Sequence, residues 1–366
     1  MKPIAPLAAV LAGLVLLVFG YRQHSWPGDG TGTASAAQTP AVPAAAKQTL
    51  MVPMRDGTKL ATDVYLPEGG GKGPFPVVLL RSPYNKDGLA GLGADAVRRG
   101  YVLVAQDTRG RFASQGKNLP FEADGWWDNR WDGYDTVEWV ARQTWCNGKI
   151  GTMGGSALGI TQLLLAGTGT PRIDAQHISV ATPDLYADLA YRGGVFRKSL
   201  VEDWMRMVRF DPAALPLWTS HPAADAFWRE RSLGPRYAKA NAPAAHIGGW
   251  YDLFAQGTID AFLGYQTRGG PKARGRQKLV IGPWTHGILQ DRAGELTFPN
   301  GKSPPNDVHD PWRWFDHHLK GVDNGIAKTP AVTYYVLGDV SAPNAPGNVW
   351  RTAERWPPPG ARETPF

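Results

Sequence analysis

From about residue 48 onward the chain alternates between two kinds of apolar pattern. "TLMVPMRDGTKLATDVYLP" holds two alternating, β-branched runs around Asp56-Gly57, which is the signature of a β-hairpin. "PFPVVLLRSPY" (Pro74 to Tyr84), "YVLVAQD" (Tyr101 to Asp107), "KIGTMGG" and "AQHISVATP" are instead apolar on successive positions, as strands buried on both faces are. Helical stretches separate them: "GADAVRRG", closed by Gly100, then "DGYDTVEWVARQ", with Asp132 as N-cap and Val137 and Val140 inward, then a run from Ala157 to about Gly167. This alternation predicts a parallel sheet covered by helices on both faces. A Trp-, Met- and Arg-rich region from Asp184 to about Ala242 breaks the rhythm and predicts a helical insertion. The rhythm then resumes with strand "AAHIGGW", helix "FAQGTIDAFLGYQ" and strand "QKLVIGPW".

The first residues follow a different pattern. Lys2 precedes an apolar run from Pro3 to Phe19, and a stretch of small and polar residues continues to about Lys47. One positive charge, an apolar core and the small residues "ASA" (Ala34 to Ala36) predict an export signal, either cleaved or kept as an N-terminal membrane anchor. Either outcome places the folded part outside the cytoplasm, in a periplasmic or extracellular location. The expected division is a signal or anchor with a flexible tether over 1–47, an α/β unit in two parts, 48–183 and 243–325, a helical cap insertion over 184–242, and a final segment, 326–366.

Composition changes this picture little. Hydrophobic residues at 43%, with 15 Trp, describe a globular chain with aromatic-rich clefts. The net charge of +7 is spread over scattered basic residues, so a solvated surface is expected and nucleic acid is not an expected partner. The single cysteine, Cys146, excludes an intramolecular disulfide, a cysteine-rich metal site and a lipid anchor made on cysteine; it reads as a half-buried structural thiol.

The candidate chemistry starts at "IGTMGGSALGITQ". A phosphate-cradling loop would need Gly-Lys-Ser/Thr or G-x-G-x-x-G, and neither is present. Gly154 two residues before Ser156, with Gly155 beside it, instead suits the strained strand-to-helix turn that lifts a serine hydroxyl above a sheet. The glycine expected two residues after the serine falls one later, at Gly159. A nucleophilic serine needs a base and an orienter for that base, and α/β-hydrolases supply them in the chain order Ser, Asp, His. "GGWYDLF" puts Asp252 after one strand and "VIGPWTH" puts His286 after the next, so Ser156, Asp252 and His286 are the expected catalytic residues. The oxyanion hole would take the backbone N–H of Ala157. Pro83 has no N–H to give, so the phenol of Tyr84 is the candidate for the second donor. His177 and His246 lie within apolar strands and read as packed, while "HDPWRWFDHH" reads as a helix and not as a metal site.

These stretches, together with "QDTRGRFASQGK", resemble the cocaine esterase-like (CocE/NonD) hydrolases, which are related to X-Pro dipeptidyl-peptidases and α-amino acid ester hydrolases. The resemblance implies an α/β-hydrolase fold with a helical cap, no metal or cofactor, Ser156, Asp252 and His286 as the triad, and Tyr84 as the phenolic oxyanion donor. It also implies a substrate pocket lined by Phe254, with Trp250 and Tyr191 assigned to the same pocket. Where such hydrolases have tyrosine directly after the nucleophile, this chain has Ala157. Family members continue into a C-terminal jelly-roll domain; "AVTYYVLG" and "NVWRTAERW" are expected to begin it, so that the chain carries a truncated one over 326–366.

Asp124, Asp128 and Asp132 recur every four residues, yet capping and solvation fit them better than calcium. Arg109 and Arg111 could hold a substrate carboxylate, although pairing with neighbouring acids is the stronger expectation. The functional expectation is an exported serine hydrolase acting on a small ester or a short peptide through an acyl-enzyme. The alternative is X-Pro dipeptidyl-peptidase, amino-acid ester hydrolase or acyl transferase activity, with Asp184, Asp188 or Glu202 receiving an ammonium group. An alternative of another class is an inactive, envelope-tethered binding scaffold. The oligomeric state stays open.

Overall fold

The computed structural model describes residues 45–67, 73–342, 344–362 and 364–365. The signal or anchor expected from Lys2 to Phe19, and nearly all of the tether, lie outside the described residues. Among the described residues ten strands form one large sheet: β1 (Ala45–Pro53), β2 (Lys59–Pro67), β3 (Phe75–Ser82), β4 (Val102–Asp107), β5 (Cys146–Gly155), β6 (Ile173–Ser179), β7 (Ala244–Gly249), β8 (Lys278–Gly282), β9 (Val332–Val336) and β10 (Val349–Ala353). Their order across the sheet is β1-β2-β4-β3-β5-β6-β7-β8-β9-β10. The hairpin β1–β2 and the last strand, β10, pair antiparallel with their neighbours. From β3 to β9 the strands run parallel.

The helices are α1 (Ala90–Arg98), α2 (Asp132–Ala141), α3 (Ala157–Gly167), α4 (Lys198–Val208), α5 (Ala214–Thr219), α6 (Ala226–Glu230), α7 (Ala255–Arg268) and α8 (Pro311–Lys320). Successive side chains of a strand point to opposite faces, and the buried runs use both. On one face Val78 and Leu80 join Ala96 and Val97 of α1 and Phe315 and Leu319 of α8. On the other, Val77 and Leu79 join Val137 and Val140 of α2 and Leu165 of α3. "HDPWRWFDHH" is helical as expected: Asp310 caps α8, its carboxylate accepting from the Trp312 N–H at 2.8 Å.

The segment between β6 and β7 contributes α4, α5 and α6, so the insertion is mainly helical. It also contains a short hairpin of Tyr191–Arg192 with Val195–Phe196 that the pattern did not predict. Its tryptophans are chiefly core: Trp204, Trp218 and Trp228 are buried together with Phe121 and Trp127 of the β4–α2 connection.

That long connection is fastened by ion pairs, not by capping and solvation. Asp132 is the first residue of α2 and not its cap; its carboxylate accepts from Arg109 Nη2 at 2.6 Å and Nε at 2.9 Å. Arg109 also reaches Asp56 at 2.7 Å, and buried Arg81 meets Asp124 at 2.5 Å. Asp128 pairs at the surface with Arg130 at 2.6 Å.

The C-terminal strands do not form the separate domain that was expected. Val332–Val336 and Val349–Ala353 do not start a separate jelly-roll sheet but extend the central one. Leu279 to Ile281 of β8 pair in parallel with Val332 to Tyr334. Ile281 and Val332 are fully buried in one cluster with Phe262 of α7, so the apolar face of β9 is satisfied by the α/β unit itself.

Candidate active site

β5 ends at Gly155 and α3 begins at Ala157, which leaves Ser156 alone in the turn at φ 56° and ψ −126°. A non-glycine residue in that region is strained and persists only where its surroundings impose it. Here the Ser156 N–H donates to Ser179 O at 3.0 Å, and the N–H groups of Gly159 and Ile160 both return to Ser156 O at 2.9 Å. The glycines around it have steric causes. A Cβ on Gly154 would come within 2.4 Å of Leu158 Cβ, and one on Gly159 within 2.6 Å of Ala181 Cβ. The later glycine therefore sits where α3 crosses the end of β6, which accounts for the shifted spacing.

Asp252 and His286 follow β7 and β8 and are both buried. The two loops are tied by backbone bonds, Trp250 N–H to Gly282 O and Tyr251 N–H to Trp284 O, each 2.9 Å. This brings Asp252 Oδ1 to 2.6 Å from His286 Nδ1, a distance typical of a strong, charge-assisted bond. His286 Nε2 is buried without a hydrogen-bond partner among the described residues, and His286 lines the same pocket as Ser156. A carboxylate on Nδ1 fixes the imidazole tautomer with Nε2 free to accept a proton. Catalytic hydrogen bonds from serine to such an atom are commonly long until substrate arrives.

Tyr84 follows Pro83 at the end of β3. Its hydroxyl neighbours Ser156, and burial pushes the phenol up to about 12. It therefore keeps its proton at neutral pH and is available as a donor. Trp204, on cap helix α4, donates its indole N–H to the Tyr84 oxygen at 3.1 Å. Indole is a donor only, so this bond occupies a lone pair of the phenol and leaves its proton free for another acceptor. Ala157 opens α3, so its N–H is one of the first-turn donors without an intrahelical acceptor. Together these groups offer a hydroxyl, an oriented base, and two donors beside the hydroxyl.

The pocket over Ser156 is walled by Phe121, Ile160, Leu253 and Phe254 from the α/β unit and by Leu189, Leu200 and Trp204 from the insertion. Phe254 lines this pocket, its ring edge-on to His286 at 5.8 Å. Two other assignments fail. Tyr191 is buried inside the insertion, stacked on Tyr186 at 4.7 Å, with its hydroxyl toward Trp218 O. Trp250 turns away from the pocket, donating to Tyr335 O at 2.6 Å and packing on Trp356. Leu189, Leu200 and Trp204 are not singled out by the sequence, which predicts only a helical cap insertion over 184–242.

Residues 56–216 and 202–288 match the family profile described as X-Pro dipeptidyl-peptidase (S15 family). The chain belongs to the S15 family. Within its wider kin, the cocaine esterase of Rhodococcus sp. is 30% identical over 373 residues, which cover 87% of this chain and 61% of that protein. An α-amino acid ester hydrolase structure superposes with a TM-score of 0.64 at 27% identity, covering 92% of this chain and 62% of that one. A CocE/NonD family hydrolase from Staphylococcus aureus gives a TM-score of 0.68 at 23% identity, over 86% of this chain and 56% of that one. The S15 chain thus has the α/β-hydrolase fold of CocE/NonD hydrolases and spans about three fifths of the length of these relatives.

Proposed function

We propose that this chain is a serine hydrolase that cleaves esters of apolar acyl groups through an acyl-enzyme. The observation that carries the reading is the buried Asp252–His286 pair at 2.6 Å, facing a pocket whose floor is Ser156 and whose walls are apolar. Ser156 Oγ attacks the ester carbonyl carbon while His286 Nε2 takes the hydroxyl proton. The Ala157 N–H and the Tyr84 O–H hold the carbonyl oxygen as it becomes an oxyanion. His286 passes its proton to the departing alkoxide, and the acyl group stays on Ser156. Water then attacks the acyl-enzyme with His286 again as base, and the serine recovers its proton.

The pocket wall supports an ester over an Xaa-Pro peptide. Among the described residues that line it, His286 is the single titratable one. The acids expected to receive an ammonium group have other work or stand elsewhere. Asp184 caps the Tyr186 and Ala187 N–H groups, Asp188 accepts from Thr182 at 2.7 Å, and Glu202 does not line the pocket. An ammonium left without a partner there would lose at least about 3 kcal/mol. Hydrolysis of p-nitrophenyl butyrate is therefore expected to exceed that of Ala-Pro-p-nitroanilide by about 100-fold or more in kcat/KM; the reverse order would point to the dipeptidyl-peptidase reading.

The reading is tested by fluorophosphonate labelling of the full chain, with the modified residue located by peptide mapping. Labelling at Ser156 supports it, whereas a folded protein that never labels favours a binding scaffold. Removing the phenol tests the oxyanion hole: Tyr84→Phe is expected to lower kcat by about 10²–10³-fold with KM changed little. Export, read from Lys2 and the apolar run after it, belongs to the same proposal; cell fractionation that recovers the chain with cytoplasmic markers would remove it.

A further inference from the structure

Arg111 holds neither of the positions considered for it: among the described residues it pairs with no carboxylate, and it does not line the pocket. It is buried, and its guanidinium donates mainly to backbone oxygens from two separate parts of the molecule. Nε donates to Pro83 O at 2.8 Å, next to Tyr84. Nη2 donates to Val208 O at 2.6 Å and Nη1 to Arg209 O at 3.1 Å, the carbonyls of the last residue of cap helix α4 and of its C-cap. Arg209 is in the left-handed conformation at φ 59°, ending that helix. Asn118 reinforces the same point, its Nδ2 donating to Arg209 O at 2.8 Å and its Oδ1 accepting from Arg111 Nη1 at 3.2 Å.

α4 carries Trp204, which bonds the Tyr84 phenol. Terminal carbonyls of a helix have no intrahelical donor and carry partial negative charge, so a buried cation forked across two of them is well matched to that end. The Tyr84 turn is fixed by two further bonds from the end of β4 and the residue after it, Thr108 N–H to Ser82 O at 3.0 Å and Lys86 N–H to Asp107 Oδ1 at 2.7 Å. We infer that Arg111 is a positioning residue that clasps cap helix α4 to the Tyr84 turn, holding the Trp204–Tyr84 hydrogen bond and with it the phenolic half of the oxyanion hole. The inference rests on the serine hydrolase reading above. It makes the cap part of the catalytic geometry and not only of the pocket wall.

A double-mutant cycle on the full chain with p-nitrophenyl butyrate separates this role from a merely structural one. Arg111→Lys keeps the charge but loses the fork, and it is expected to lower kcat about tenfold with KM within twofold. In the Tyr84→Phe background, where there is no phenol left to place, the same change is expected to cost less than twofold. An equal loss in both backgrounds would overturn the inference, as would full activity in Arg111→Lys. Should Arg111→Lys not fold, Asn118→Ala takes its place, with about a threefold loss that disappears in Tyr84→Phe; an equal threefold loss there, or none in the Tyr84 background, overturns the inference too. The two readings fail differently. Wild-type turnover that does not depend on Ser156 removes the hydrolase reading and the clasp with it, while Ser156-dependent turnover with an additive cycle removes the clasp alone.

Discussion

Ser156→Ala is expected to lower kcat for p-nitrophenyl butyrate by roughly 10⁶-fold, the size of loss seen when a triad nucleophile is deleted, and to abolish fluorophosphonate labelling. The fold should survive, because the hydroxyl is not what holds the turn: the Ser156 N–H and C=O make the bonds to Ser179, Gly159 and Ile160. Alanine inherits the backbone strain at φ 56°. Ser156→Gly should be equally inactive and yet more stable by about 1 kcal/mol, since glycine adopts positive φ without penalty. Chemical denaturation of the three proteins measures this. An alanine variant that retains even a hundredth of wild-type turnover would place the nucleophile elsewhere.

Asp252→Asn is expected to lower kcat by about 10⁴-fold. Asparagine keeps the shape of the buried side chain, but its amide can donate toward His286 Nδ1. That would move the imidazole proton to Nε2, the atom that has to accept from Ser156. The carboxylate that stabilises an imidazolium is lost as well. KM for p-nitrophenyl butyrate should change little, because Asp252 does not line the pocket. A fall of less than tenfold would show that Asp252 does not orient the base.

Much of this was legible in the chain because it is encoded locally. Continuous apolar runs bounded by turn residues marked β3 to β8, and a serine, an aspartate and a histidine each stood just past one of those strands. Parallel strands gather their C-terminal ends on one edge, so order along the chain became proximity in space. What was missed depends on contacts between distant segments. Nothing near Trp204 shows that its indole N–H meets a tyrosine 120 residues earlier, and the aromatic residues around it give the same local pattern whether a side chain faces the pocket or the insertion core. Tyr191 was misplaced for that reason. Arg111 has acids in its sequence neighbourhood, so an ion pair was the natural expectation; its partners are carbonyls, which every residue carries and no sequence advertises. The resemblance places β9 in another domain, whereas in the structure it pairs with β8 and shares a buried cluster with α7.

If the hydrolase proposal holds, the bond between Trp204 and Tyr84 would set a trade-off between admission and reaction. A substrate that enters by lifting α4 also frees the phenol, whose proton then turns among solvent directions instead of toward the carbonyl. Bulky substrates would bind to an idle enzyme and react only if α4 can settle back over them. On that proposal the position of one helix would act as a size gauge, and selectivity between small and large esters should show in the rate of acylation more than in the strength of binding.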